Sequence, residues 1–257
     1  MHIKILAEAR TRVNLLCGTT ALLASTALAP CWAASAPNCS DLAAQILTNP
    51  DVVAATSVIV PASGANLAYC NVQLQYSHLA GPAAGYAPGQ SQIIQIGIGL
   101  PLSVADGGSG GVQGAWNGRI EDLGGGGTAG SVGSTTGATN LGNVGSSTDT
   151  GHSATTVGGS GSNFPLNGIV GTFPGGTFTA ALNPPNDNSF NWGIYADFAY
   201  RGIHAQSVMS KVVTQLYYGM AQNYSYWVGC SEGGHQGLSE AMRYPNDITG
   251  SLSATQS

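Results

Sequence analysis

Residues 224–234 read YSYWVGCSEGG and give the strongest structural signal in the chain. The aromatic and β-branched residues at 224–228 are typical of a short strand, and the residues that follow have a helical pattern that Pro245 ends. Residues 229–233 lie between the two and match the pattern G-x-S-x-G. In this pattern a serine occupies a strained turn between strand and helix, and the flanking glycines let both elements approach closely. The pattern predicts that Ser231 is a nucleophile.

The composition of the 257-residue chain argues against one class of partner. Charged residues make up only 7% of the chain, against about 25% in ordinary soluble domains, and the formal net charge is −5. The seven lysines and arginines are scattered along the sequence. A protein that binds nucleic acid needs a basic surface that follows the phosphates, so we predict no nucleic-acid partner.

The N-terminus has the layout of a secretory signal peptide. Basic residues precede an uncharged stretch at 13–29, and small residues follow at 33–36. We predict a signal peptide over 1–35 and a secreted or periplasmic domain over 36–257. The alternative is a membrane anchor, but the uncharged stretch has 17 residues and is interrupted by Gly18, which is marginal for spanning a bilayer. No later stretch is apolar enough to cross a membrane, so we expect no membrane partner after cleavage.

Three cysteines remain after the signal peptide leaves with Cys17 and Cys31. In an oxidising compartment an odd number of cysteines leaves one without a partner inside the chain. Cys39 and Cys70 could close a loop of about 30 residues, which would stabilise the fold by about 3–4 kcal/mol. Cys230 would then be unpaired.

Hydrophobic patterns predict helices and strands in much of the chain. β-Branched and alternating apolar residues predict strands at 52–60, 68–76 and 91–100, with a short helix between 38 and 50 and turns at 81–90. A longer helix is expected from Asp197, as its N-cap, to the capping residue Gly219.

The segment 105–162 is dense in glycine, serine and threonine and resembles a flexible linker. Two islands of larger or charged residues, at 116–120 and 147–152, argue against a linker and predict ordered loops at a site. The glycine run at 124–127 fits a loop that supplies an oxyanion amide after an early strand. Flexible low-complexity sequence is the alternative for this run.

Taken together, these motifs resemble the tannase and feruloyl esterase family of secreted α/β-hydrolases over about residues 37–250. The motifs that carry the resemblance, in chain order, are WNGR at 116–119, GGGG at 124–127 with AG at 129–130, DTGH at 149–152, DFAYR at 197–201 with His204, Lys211, YYG at 217–219, GCS at 229–231 with GG at 233–234, QGL at 236–238 and RYP at 243–245.

The resemblance implies an α/β-hydrolase fold and a serine esterase. Ser231 would attack a small aromatic ester, such as a galloyl or hydroxycinnamoyl ester, and form an acyl-enzyme. The oxyanion would be held by the amide of Glu232 and by that of Gly125 or Gly126. Many members have threonine where Glu232 stands, but only its backbone amide is needed.

The resemblance also implies a Cys39–Cys70 disulfide and a partner for Cys230 just before the catalytic histidine. That cysteine, the catalytic aspartate and histidine, the lid and the lid's calcium site are all expected beyond residue 257. We therefore expect only the N-terminal half of the fold, with lid and C-terminal strands missing, and no metal or other cofactor in this chain. The polar tail at 251–257 has no core strand character and supports truncation.

The histidines inside the chain are not expected to complete a catalytic triad. His78 lies in a turn-rich segment, and His152 is interpreted as a residue that orders its loop. His204 is expected to be structural, and His235, where many members have arginine, points along the helix after the serine. The alternative to an esterase is a non-catalytic exported remnant or binding module. The ordered elements at 224–243 argue against a third reading, a glycine- and serine-rich surface protein.

Overall fold

The computed structural model describes residues 36–77, 93–127, 129–152 and 192–254. The predicted signal peptide, the turns at 81–90 and His78 lie outside these residues.

A mixed seven-stranded sheet organises the described residues, in the order β1-β2-β3-β5-β4-β6-β7. The first half is antiparallel, with β1 paired to β2, β2 to β3 and β3 to β5. The second half is parallel, with β4 between β5 and β6, and β7 beside β6. The strands are β1 Val52–Val60, β2 Tyr69–Ser77, β3 Ile93–Pro101, β4 Arg119–Leu123, β5 Val144–Thr148, β6 Tyr224–Cys230 and β7 Gly250–Ala254.

The parallel half determines where a site forms. The carboxyl ends of parallel strands meet at one edge of the sheet, and ligands of open α/β sheets bind outside that edge. The glycine run follows β4, the loop from Asp149 to His152 follows β5, and Ser231 follows β6. Three of the predicted functional segments therefore share one edge.

Helices cover both faces of the sheet. The α-helices are α1 Cys39–Ile46, α2 Thr136–Asn140, α3 Trp192–Ala196, α4 Gly202–Tyr218 and α5 Glu232–Arg243, with a π-helical turn at Asp197–Arg201 between α3 and α4 and a 3-10 turn at Val104–Asp106. Helices α1 and α4 enclose the main core with alternate buried residues of β3, which are Ile94, Ile96, Ile98 and Leu100. Helix α2 lies on the opposite face, where Gly99 and Gly145 leave no room for a Cβ against its residues. None of the described helices is long and apolar enough to span a bilayer.

The expected α/β architecture and most expected elements are confirmed. Asn38 caps α1 by accepting a hydrogen bond from the Asp41 amide, and Gly219 ends α4 with φ of 71°. The predicted strands at 52–60, 68–76 and 91–100 differ from the observed strands by one or two residues at their ends.

The sequence pattern predicted Asp197 as the N-cap of a helix, and this prediction is wrong. The helical segment begins at Trp192, five residues earlier, and Asp197 is fully buried inside it. Arg201 lies one turn later with its Nε 2.9 Å from Asp197 Oδ1, which balances the buried charge.

The prediction that 251–257 lacks strand character is wrong for its first residues. Residues Gly250–Ala254 form β7, which pairs in parallel with β6. Thr249 starts the pairing, because its Oγ1 accepts a hydrogen bond from the Ser225 amide at 2.7 Å and donates to the Ser225 carbonyl at 2.8 Å. Backbone hydrogen bonds to the open edge of β6 thus hold residues 250–254 as a strand, although the polar residues of this segment did not predict one.

The disulfide between Cys39 and Cys70 is confirmed and joins α1 to β2. Both cysteines are fully buried in the core. Asp106 adds a second tie, since its Oδ2 accepts from the Cys39 amide at 2.8 Å and from the Tyr217 hydroxyl at 2.5 Å. The N-terminal helix is therefore fastened both to the sheet and to α4.

Replacing both Cys39 and Cys70 with alanine should lower the free energy of unfolding by about 3–4 kcal/mol, because the unfolded chain gains the entropy of an open loop. Denaturant unfolding monitored by circular dichroism measures the change. Cys230→Ala is the matched control and should be neutral, since Cys230 is an exposed free thiol. Equal losses in both proteins would contradict a stabilising role for the bridge.

Candidate active site

Ser231 lies at the turn between β6 and α5. Its backbone has φ of 55° and ψ of −123°, a conformation that residues with a side chain rarely adopt. Such strain persists only where the neighbouring structure fixes it, and it concentrates at functional sites. The side chain is exposed at the carboxyl edge of the sheet. This geometry has the features of the nucleophile turn that the sequence pattern predicts.

Glycines make the sharp turn possible. A Cβ on Gly229 would lie 2.4 Å from the Gly233 backbone, and a Cβ on Gly124 would lie 2.6 Å from it. Three backbones therefore meet where β6, α5 and the glycine loop converge. Trp227 packs beneath, fully buried, and donates a hydrogen bond from Nε1 to the Gly233 carbonyl at 2.8 Å. A Cβ on Gly237 would lie only 2.3 Å from the Trp227 indole.

The glycine loop lies against the helix that begins after Ser231. The Gly124 amide donates to the Val228 carbonyl at 2.9 Å, which extends the pairing of β4 with β6. The Gly125 amide donates to Oε1 of Gln236 at 3.0 Å. A Cβ on Gly126 would face open space, with nothing within 4 Å.

These contacts distinguish Gly125 from Gly126, the two glycines that were predicted as alternative oxyanion donors. The Gly125 amide is engaged by a side chain of α5, so Gly126 is the better candidate to act with the Glu232 amide. Gln236 belongs to the QGL motif at 236–238, to which the sequence analysis assigned no role. In the structure its side chain is buried, 2% exposed, and contacts the glycine loop.

The loop after β5 is ordered by buried hydrogen bonds. Asp149 Oδ1 accepts from the Gln95 amide at 3.0 Å and from the Gly151 amide at 2.8 Å. Thr150 has φ of 57°, and its hydroxyl lies 3.2 Å from His152 Nδ1. His152 is 3% exposed and meets the Phe198 ring edge to face. The island at 147–152 is therefore ordered at the site edge, whereas the island at 116–120 lies at the amino end of β4, away from it.

Burial raises the pKa of Asp149 to about 7, against the lowering effect of the Gly151 and Gln95 amides. The folded state therefore holds this proton more tightly than the unfolded state, whose pKa is near 3.8. Its contribution to stability is fully present below pH 4 and declines as pH rises to about 7.

Asp149→Asn removes this titration and keeps an acceptor oxygen for both amides. The free energy of unfolding of the variant, relative to wild type, should rise by about 2–4 kcal/mol between pH 4 and pH 8. Urea unfolding at a series of pH values measures the difference. Parallel stability profiles for the two proteins would contradict it.

The described histidines have other partners than the serine. His204 Nδ1 lies 3.2 Å from Glu240 Oε1, and His235 Nδ1 lies 3.4 Å from the Glu232 carboxylate. His152 is bonded within its own loop, as the sequence analysis expected. Across the described residues, no histidine is hydrogen-bonded to Ser231.

Known proteins match both the sequence and the fold. A family model described as tannase and feruloyl esterase matches residues 112–256. A probable feruloyl esterase of Arthroderma benhamiae is 31% identical over 183 residues, which are 71% of this chain and 27% of that protein. Feruloyl esterase B of Aspergillus niger is 45% identical over 65 residues, which are 25% of this chain and 12% of that protein.

Two solved structures share the fold with a TM-score of 0.54 each. The tannin acyl hydrolase from Aspergillus niger is 25% identical, and the match covers 77% of this chain and 31% of that one. Feruloyl esterase B from Aspergillus oryzae is 23% identical, and the match covers 84% of this chain and 36% of that one. The chain thus spans about a third of these structures and about a quarter of the Arthroderma relative. Because the family model covers more than half of the chain, the chain belongs to the tannase and feruloyl esterase family.

Proposed function

We propose that the protein is a carboxylic ester hydrolase in which Ser231 attacks an aromatic ester. The observation that carries the proposal is the strained, exposed Ser231 beside the glycine loop. Ser231 Oγ would form a bond to the ester carbonyl carbon and pass its proton to a general base, the carbonyl oxygen would take the negative charge, and the base would return the proton to the departing alcohol oxygen. The amides of Glu232 and Gly126 would donate to that oxygen. Collapse of the intermediate releases the alcohol and leaves an acyl-serine, which water then hydrolyses.

The aromatic substrate class rests on the family. The relatives carry the names of feruloyl esterases and a tannin acyl hydrolase. We propose small galloyl, hydroxycinnamoyl or similar aryl esters as substrates for this chain. The chemistry uses a side chain and backbone amides, and we propose that it needs no metal or other cofactor.

The cellular location and the unpaired cysteine belong to the same proposal. A buried disulfide at Cys39–Cys70 suits an oxidising compartment, which supports a secreted or periplasmic protein. Cys230 is exposed directly before the nucleophile. In this chain it is a free thiol. We propose that a cysteine beside the catalytic base pairs with it where that part of the protein is present, which would join nucleophile and base.

The alternative function is a non-catalytic module. It is favoured by one observation, which is that each described histidine is engaged away from Ser231. The two functions make opposite predictions for the first chemical step.

Rapid mixing of the purified chain with 4-nitrophenyl acetate and 4-nitrophenyl ferulate tests the proposal. An esterase releases a burst of nitrophenol proportional to protein concentration, and the feruloyl ester should react faster than the acetyl ester. Folded protein that releases nitrophenol no faster than buffer would leave the non-catalytic module as the better account.

A further inference from the structure

A polar cluster lies between α4, α5 and the turn that follows α5. His204, in the first turn of α4, places Nδ1 3.2 Å from Glu240 Oε1 and 3.1 Å from Asp247 Oδ2. Lys211 Nζ lies 2.9 Å from the other oxygen of Asp247. The Tyr244 ring stacks on the His204 ring at a centroid distance of 3.5 Å. We name His204, Glu240, Asp247 and Lys211 the helix clamp.

The helix clamp joins three segments through two side chains of α4. His204 Nδ1 is hydrogen-bonded to Glu240 Oε1, and because a carboxylate accepts, we assign the imidazole hydrogen to Nδ1. Asp247 is held to α4 by Lys211, since its Oδ2 near His204 has no hydrogen-bond partner among the described residues. Glu240 is fully buried in α5, and a buried carboxylate that loses its donor is strongly destabilised. Its Oε2 has no hydrogen-bond partner among the described residues, so His204 is the main donor to this carboxylate.

The position of the clamp links it to the nucleophile. Helix α5 begins at Glu232, directly after Ser231, and Glu240 lies two turns further along. Asp247 lies two residues before Thr249, which begins the pairing of β7 with β6. Fixing Glu240 and Asp247 to α4 therefore fixes both the axis of α5 and the chain that leaves it. The strained backbone of Ser231 then has a rigid support on its helical side.

We propose that His204 is a positioning residue for the nucleophile, and that its Nδ1–H holds α5 at the angle that presents Ser231. The inference rests on the proposed function, because positioning matters for catalysis only if Ser231 reacts. It assigns His204 neither a proton transfer nor a contact with substrate.

A divalent cation is the competing explanation for the cluster. Ligand atoms of His204, Glu240 and Asp247 lie within 4.8 Å of one another, which suits a metal. Lys211 already supplies a positive charge beside Asp247. Burial raises the pKa of the neighbouring Asp122, the charge of Lys211 lowers it, and the charge of Glu240 raises it. The contacts of His204 with Glu240 and of Lys211 with Asp247 already engage both carboxylates, so we favour the clamp and use the cation as an outcome of the test.

Two substitutions of His204 separate hydrogen bonding from packing. His204→Asn places an amide NH₂ near the position of Nδ1, where it can donate to Glu240 Oε1. His204→Leu fills the space without a donor. The single-turnover acylation rate with 4-nitrophenyl ferulate should fall at least tenfold in the leucine variant, with the half-saturating ester concentration unchanged. The asparagine variant should stay within threefold of wild type.

Cys230 provides a second readout that does not depend on catalysis. Its thiol is exposed and adjacent to Ser231. Labelling by a thiol reagent, quantified on the Cys230 peptide by mass spectrometry, should be at least threefold faster in the leucine variant than in wild type. If the leucine variant does not fold, Glu240→Gln against Glu240→Ala repeats the comparison, because glutamine keeps an acceptor for Nδ1 and alanine does not.

The outcomes distinguish failure of the inference from failure of the proposed function. Acylation and Cys230 labelling at wild-type rates in the leucine variant would overturn the positioning role. Slowing of wild type by EDTA, restored by zinc, with no rescue by asparagine would overturn it in favour of a metal site. A wild type without any nitrophenol burst would overturn the proposed function, and Cys230 labelling alone would then decide whether His204 holds the turn.

Discussion

Ser231→Ala should abolish the nitrophenol burst with aromatic esters and lower the rate of nitrophenol release to that of the buffer. The reason is that the alanine has no oxygen to form the acyl intermediate. The substitution should leave the fold intact, because the Ser231 side chain is exposed and makes no capping hydrogen bond. Stopped-flow absorbance of nitrophenol measures the burst.

Ser239→Ala is the matched control for this substitution. Ser239 lies on the same helix, two turns further on, and its hydroxyl donates to the Ala199 carbonyl at 3.2 Å. Its removal should cost about 1 kcal/mol of stability and leave the burst unchanged. A burst that survives in Ser231→Ala would assign the nucleophile to another residue.

Gly229→Ala should have the largest effect on structure and remove the burst as well. The new Cβ would lie 2.4 Å from the Gly233 backbone carbon and oxygen, so β6 and α5 would have to separate. We expect the free energy of unfolding to fall by about 2–4 kcal/mol. The burst amplitude should fall at least tenfold, because Ser231 depends on both elements for its position.

Gly137→Ala controls for glycine replacement in general. A Cβ at Gly137, in α2, meets nothing within 4 Å, so this variant should keep its burst and gain up to about 1 kcal/mol of stability. Urea unfolding and the ester burst are measured on both variants. Wild-type stability in Gly229→Ala would show that the close approach of strand and helix is not required.

The strands that carry apolar alternation could be predicted from the sequence. Residues 68–76 and 91–100 alternate apolar side chains as a half-buried strand does, residues 52–60 are rich in β-branched side chains, and all three strands formed. The strand, turn and helix around Ser231 were equally clear, because the glycine spacing has a steric cause that needs no knowledge of the rest of the fold.

Strands β4 and β5 were not predicted, although they form the centre of the site. Gly145 of β5 must be small because α2 lies against it, with Ala138 2.8 Å from the position of a Cβ. Ser146 is buried and donates to Asp122 Oδ1 at 2.5 Å. Small and polar residues here meet tertiary partners, so their pattern resembles a linker when the sequence is considered alone.

The candidate site was predicted by residue type, and the contacts add a distinction between two of its members. The sequence named Gly125 and Gly126 together, and only the hydrogen bond from Gly125 to Gln236 distinguishes them. The helix clamp joins residues 204 and 247, which no local pattern connects. Tertiary packing, not propensity, determines such details.

Mass spectrometry of the trapped acyl-enzyme identifies the residue that carries the acyl group. The full chain is mixed with 4-nitrophenyl ferulate, quenched in acid within the burst, and digested for fragmentation of the peptide that contains Cys230 and Ser231. We expect one feruloyl group on the Ser231 oxygen and none in Ser231→Ala. A feruloyl group on Cys230, or none on either residue in folded protein that has released nitrophenol, would contradict the assignment of Ser231 as the nucleophile.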